Sequence, residues 1–156
     1  MKILIVYYSR TGLTKRLGEK LAAALGADQE EIKDGADRSG VIGYLKCGRE
    51  AMQKALPPIG PSHFDPAVYD LVVVGTPVWA ATMASPVRSY LNAQAGRIKR
   101  AAFFATQGGS GANRAFDDMA ELCALAPVAR LTVLSREIIK GGYDEKMQGF
   151  IKEING

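Results

Sequence analysis

Histidine is nearly absent from this chain: His63 is the only one, in the connector Pro61-Ser62-His63-Phe64-Asp65-Pro66. Cysteine is scarce too, limited to Cys47 and Cys123. That excludes a disulfide framework and a Cys-rich metal site, and His63 has no His or thiol nearby to share a metal with. The expectation is two buried free thiols, a surface histidine and no metal. Long apolar runs are missing, which excludes a membrane-spanning helix. The N-terminus lacks a basic segment followed by a long apolar one, so the expected location is the cytoplasm. Blocks of one charge sign are missing as well. The net charge is +4, yet the only tight basic cluster is Arg97-Lys99-Arg100, which reads as a solvated turn. No nucleic-acid surface is implied.

At 156 residues, 47% hydrophobic and 23% charged, the chain has the means to build one core, and one domain over 1–156 is expected. Its organising stretch comes first. Ile3 to Tyr8 is an apolar, β-rich run of the kind found in a central parallel strand. Ser9-Arg10-Thr11-Gly12-Leu13-Thr14 follows at once. Leu13, Leu17, Leu21 and Leu25, spaced by four, then write a helix that Gly26 ends. Asp28 to Lys33 is a polar strand suited to a sheet edge.

Beyond a loop at 34–40, Val41, Leu45, Gly48, Met52 and Ala55 predict a helix over about 41–56, stopped by Pro57-Pro58. Leu71 to Val74 is a buried strand, and Ser85-Pro86 starts a helix to about Ala93. Ala101 to Thr106 is the next strand, with a helix over about 112–123 behind it. Ala129 to Leu134 is the last strand, and Tyr143, Met147, Phe150 and Ile154 mark a final helix. Five strands alternating with five helices predict an α/β fold, a parallel sheet with helices on both faces. In such sheets ligands bind beyond the carboxyl ends of the strands.

Three of those ends carry unusual loops. The first, Ser9 to Thr14, has no lysine of the nucleoside-triphosphate kind and no spaced glycines of the dinucleotide kind. Its hydroxyls on Ser9, Thr11 and Thr14, with Gly12 and the helix-start amides, suit either a phosphate monoester or an ordinary helix cap. The second, Thr76-Pro77-Val78-Trp79-Ala80, holds the only tryptophan. That ring suits a flat ligand or a roof over the core. The third, Thr106-Gln107-Gly108-Gly109-Ser110-Gly111, is nearly bare of large side chains and suits a close backbone approach or a plain turn.

Taken together and in order, these loops resemble the flavin loops of the flavodoxin-like family, in its small single-domain members, across essentially the whole chain. The resemblance implies a three-layer α/β/α sandwich with five parallel strands in the order 2-1-3-4-5. It implies non-covalently bound FMN, with the ribityl phosphate on Ser9, Arg10, Thr11, Gly12, Leu13 and Thr14. The isoalloxazine would lie between Thr76, Pro77, Val78, Trp79 and Ala80 on one side and Thr106, Gln107, Gly108, Gly109 and Gly111 on the other. No side chain is assigned as a catalytic acid or base.

The implied function is electron transfer between a reductant and an acceptor, either a redox partner protein or a small molecule such as a quinone or a nicotinamide. Two alternatives are an NAD(P)H-dependent FMN quinone-type oxidoreductase and a non-catalytic flavin-binding regulatory protein. Electron-carrier members are generally acidic and place an aromatic in the third loop, whereas this chain is basic and 107–111 holds no aromatic. Tyr44 and Tyr143 are the remaining candidates to reach the ring. A response regulator would need acids at the first strand end, and a low-molecular-weight tyrosine phosphatase a loop cysteine. Both are missing, and Cys47-Gly48-Arg49 falls in the predicted helix. A monomer or a homodimer fits equally.

Overall fold

The computed structural model describes residues 1–156. The strands are β1 (Ile3–Tyr7), β2 (Asp28–Glu31), β3 (Leu71–Trp79), β4 (Thr82–Met83), β5 (Ala101–Gln107) and β6 (Arg130–Leu134). The helices are α1 (Leu13–Leu25), α2 (Gly40–Met52), α3 (Ser85–Gln94), α4 (Ala112–Cys123), α5 (Ser135–Lys140) and α6 (Asp144–Asn155). Five strands pair in parallel in the order β2-β1-β3-β5-β6, and the short β4 folds back antiparallel on β3. Numbered without that short hairpin strand, this is the expected order 2-1-3-4-5.

Side-chain alternation along the strands builds the two outer layers. Leu4 and Val6 face one side, with Cys47 and Ala51 of α2, Val87 and Leu91 of α3, and Phe116 and Met119 of α4. Ile3, Ile5 and Tyr7 face the other, with Leu17 and Leu21 of α1, Ile138 of α5, and Met147, Phe150 and Ile154 of α6. Both cysteines are buried and free. No helix is long and apolar enough to cross a membrane.

Three local features depart from the expected elements. Strand β3 continues through the whole of the second loop to Trp79, turns at Ala80-Ala81, and returns as β4. α5 is an extra short helix after β6, too brief for a periodic pattern to reveal. α2 ends at Met52 rather than at 56. The chain beyond it runs back along the polar edge strand β2, where Asp34 bridges Ile59 and the Gly60 amide donates to the Lys33 carbonyl at 2.7 Å. Glu30 of β2 accepts the Ser62 hydroxyl at 2.8 Å and the His63 amide. The connector thus covers an edge that would otherwise offer unpaired backbone groups.

Candidate functional site at the strand ends

All three loops sit at the carboxyl end of the sheet, the first beyond β1, the second within the far end of β3 and its turn, and the third from the last residues of β5 onward. Gly12 precedes α1 with φ +94°, and Gly111 precedes α4 with φ +106°, so both helices are entered through a left-handed glycine. At Gly12 a β-carbon would meet nothing within 4 Å, which leaves the concave side of the first loop open. Ser9 Oγ accepts the amides of Gly12 (3.0 Å) and Lys15 (3.1 Å). It therefore caps the helix, while its own hydroxyl hydrogen stays available to donate outward. The first intrahelical bond runs from Arg16 N to Gly12 O, and the amides of Leu13 and Thr14 have no acceptor in the protein.

The other side chains of this loop are committed differently. Thr14 is buried, and its Oγ1 lies 2.8 Å from Thr106 Oγ1, tying the first loop to the third. Arg10 turns sideways: its guanidinium donates to the carbonyls of Arg38 (2.9 Å) and Gly40 (3.2 Å) and lies 5.8 Å from the Tyr44 ring centre. Thr11 is exposed.

In the second loop Thr76 is fully buried. Its hydroxyl accepts the Ala84 amide (2.9 Å) and donates to the Pro77 carbonyl (2.8 Å), pinning the hairpin to the start of α3. Ala80 and Ala81 both have positive φ, 50° and 61°, the signature of a tight two-residue hairpin turn that ordinarily calls for Asn and Gly. Behind the turn, Thr82 Oγ1 donates to Asp118 Oδ2 (2.5 Å) and accepts from Arg88 Nη2 (3.2 Å). Arg88 is buried with its Nε unpaired, and burial lowers its pKa, opposed by the charge of Asp118.

Trp79 is 8% exposed and belongs to the core layer of α2 to α4. Its ring meets Tyr8 edge-on at 5.6 Å and carries the Arg38 guanidinium at 5.1 Å. Of the two sequence readings of this residue, the roof over the core is the one its packing matches. In the third loop, Gln107 Oε1 accepts the Ala112 amide at 2.9 Å and caps α4. Gly108 and Gly109 are exposed, with nothing within 4 Å of a β-carbon at either. Gly111 packs directly on the second loop, where a β-carbon would fall 2.8 Å from Ala81 Cα and 2.9 Å from Val78 Cγ1.

Arg38 escaped the sequence reading. It is 5% exposed and forks between two carboxylates: Nη2 lies 2.8 Å from Asp34 Oδ2, and Nη1 3.0 Å from Glu50 Oε2. Burial opposes its charge, but the hydrogen bonds to Glu50 and Asp34 win, so its pKa is raised. The Arg38 hydrogen bond likewise lowers the Glu50 pKa. Tyr8, whose hydroxyl is 3.4 Å from Asp34 Oδ1, is pushed up to about 12 by burial and then by the Asp34 charge. The four-residue step from Asp34 to Arg38 is the sequence signal of this pair, and in a segment of loop composition such a step does not imply a contact.

The two remaining aromatic candidates separate clearly. Tyr143 is buried in the opposite layer with α1 and α6, its ring under Lys20 Nζ at 4.6 Å. Tyr44 is exposed and faces the second loop, where it lines a cavity of about 470 Å³ together with Trp79 and Ala80. His63 is exposed in the connector, as expected of a surface residue.

The sequence profile of the family described as Flavodoxin matches residues 2–144. The chain belongs to the flavodoxin family. Solved structures share the fold. A putative flavoprotein from Bacteroides uniformis ATCC 8492 superposes with a TM-score of 0.79 at 21% identity, covering 97% of each chain. The flavoprotein from Lactobacillus acidophilus NCFM, crystallised in complex with FMN, superposes with a TM-score of 0.74 at 24% identity, covering 89% of this chain and 97% of that one. The two-electron reduced flavodoxin of Megasphaera elsdenii follows with a TM-score of 0.60 at 16% identity, over 97% and 98% of the two chains. No curated protein matches the chain. Within this fold the chain carries a hydroxyl-rich first loop, a hairpin with two alanines at positive φ as its second, and a glycine-rich third.

Proposed function

We propose that this flavodoxin-family protein binds FMN without a covalent bond and passes electrons between a reductant and a protein or small-molecule acceptor. The observation that carries the proposal is the first loop, where free amides of Leu13 and Thr14, the outward hydroxyl of Ser9 and the open side of Gly12 converge. That donor set fits a phosphate monoester and needs no cationic side chain. The exposed, unencumbered Gly108 and Gly109 fit a flat ring brought close to backbone. Family membership and the FMN complex of the Lactobacillus acidophilus flavoprotein lend the same support.

In this reading Ser9, Thr11, Gly12, Leu13 and Thr14 anchor the phosphate through hydroxyl and amide donors. Arg10 braces the loop against 38–40. The backbone of 76–80 and of 106–111 flanks the ring, and Gly111 fixes how closely those two segments approach. When bound, the flavin supplies the redox chemistry; the protein supplies position, solvent exclusion and backbone donors. The location is proposed to be cytoplasmic.

A second reading, an NAD(P)H-dependent FMN quinone-type oxidoreductase, is supported by the lack of any aromatic over 107–111 and of any large side chain over 108–111, which leaves room for a small reactant. Visible absorbance of the purified protein, before and after cofactor extraction, tests the shared premise. A protein that stays colourless and takes up no added FMN overturns both readings. Anaerobic titration with NADH and NADPH, with dithionite as control, separates them. Direct bleaching by a nicotinamide supports the oxidoreductase, and bleaching by dithionite alone supports the carrier.

A further inference from the structure

We infer that the cavity between α2 and the β3–β4 hairpin is a second binding site, shaped for a flat aromatic molecule that carries a negative charge. Its volume of about 470 Å³ falls within the range of small-molecule sites. Tyr44, Leu45 and Met52 form one wall and remain 65%, 64% and 75% exposed, an apolar surface that nothing in the fold covers. Trp79 forms the opposite wall. Gly48 lies on the same helical face as Tyr44, Leu45 and Met52, and a β-carbon there would meet nothing within 4 Å. The missing side chain is therefore part of the cavity's room.

Charge selects the ligand further. Arg49 is the only charged residue in the lining. The neighbouring acid, Glu50, is already held by Arg38 through contacts of 3.0 Å, so it does not neutralise Arg49. No ion pair engages the Arg49 guanidinium, and Lys46 adds a second positive charge on the same helix. An apolar, aromatic-walled cleft with an unpaired guanidinium at its edge favours an aromatic anion over a neutral or cationic ring.

The cavity is separate from the proposed phosphate loop and from the third loop, and it overlaps the second. No residue of 9–14 or 106–111 lines it, and only Val78, Trp79 and Ala80 are common to both. Those shared residues place a ligand in the cavity against the segment proposed to flank the flavin. The inference therefore goes beyond the flavin reading, and its cavity stands without it.

The test uses 2-naphthoate and its neutral twin, naphthalene-2-carboxamide, on the protein with FMN added. Calorimetry gives affinity, and the single indole N–H resonance, from Trp79, reports occupancy. Naphthoate is expected to bind at one site, shift that resonance and outcompete the carboxamide several-fold. Arg49→Gln should erase the preference for the anion. Gly48→Leu, which fills the room with a better helix former, should weaken both ligands at least tenfold and leave FMN uptake unchanged. Binding that survives Gly48→Leu, naphthoate that expels FMN one for one, or no binding at all overturns the proposal. If the protein takes up no FMN, the flavin reading fails, while the naphthoate measurement is still read on the protein alone.

Discussion

Thr14 Oγ1 and Thr106 Oγ1 lie 2.8 Å apart, both buried, joining residues 92 positions apart in sequence. One hydroxyl donates and the other accepts, so each satisfies its neighbour in a place water does not reach. This bond locks the start of α1 to the end of β5, and with it the first loop to the third. Removing one partner strands the other. Thr14→Val or Thr106→Val alone should cost about 1–3 kcal/mol, while the double substitution should recover most of that loss. Urea unfolding of the four proteins checks it. Equal, additive losses would mean that the bond contributes nothing of its own.

The hairpin turn carries strain that is open to relief. Alanine at positive φ pays about 1–2 kcal/mol per residue. Glycine removes that penalty but adds back roughly 0.5–1 kcal/mol of unfolded-state entropy. Ala80→Gly, at an exposed position with φ 50°, should therefore raise stability modestly, by up to about 1 kcal/mol. A shift of the urea midpoint to higher concentration is the expected result. The same substitution should loosen the segment proposed to flank the flavin and raise the FMN dissociation constant, since strain held at a functional loop commonly serves position.

The strand ends were legible because their signals are local. The apolar run of Ile3 to Tyr8 followed by hydroxyls and glycine, and the leucines at four-residue spacing, each announce an element without help from the rest of the chain. What escaped depends on contacts that sequence spacing does not encode. The hydroxyl bond between Thr14 and Thr106 is one such contact. Trp79 has a turn-rich loop composition around it, but β3 runs straight through that loop and carries the ring into the core. The Ala80-Ala81 turn bears none of the residues that normally mark such a turn. The burial of Arg38 is a tertiary fact, set by Asp34, Glu50 and the Trp79 ring together.

Gly75 shows how tightly neighbouring strands of the sheet pack their side chains. A β-carbon there would fall 2.0 Å from the tip of the Phe104 ring, on the neighbouring strand β5. The ring is fully buried and has no room to retreat. Gly75→Ala should therefore cost about 1–3 kcal/mol through overpacking. Phe104→Leu also destabilises by itself, but it removes the atoms that clash. In the double variant Gly75→Ala should cost much less than it does against phenylalanine, and thermal unfolding of the set reads that coupling.

The Arg38 fork predicts a specific response to acid. Its hydrogen bond to Glu50 holds that carboxyl below the ordinary glutamate value of 4.5. The folded protein thus prefers Glu50 ionised more strongly than the unfolded chain does. The stabilisation is fully present above pH 4.5 and disappears as pH falls through the lowered folded value. Glu50→Gln keeps the shape but loses the charge, leaving Arg38 with Asp34 as its only carboxylate partner. At neutral pH the variant should be less stable by about 1.5–3 kcal/mol, the range for hydrogen bonds to a charged group. Below pH 4.5 the gap between variant and parent should narrow, because the parent loses what the variant never had. Urea midpoints measured from pH 7 down to pH 3 decide the matter. A gap that stays constant across that range would show that Glu50 acts by packing alone.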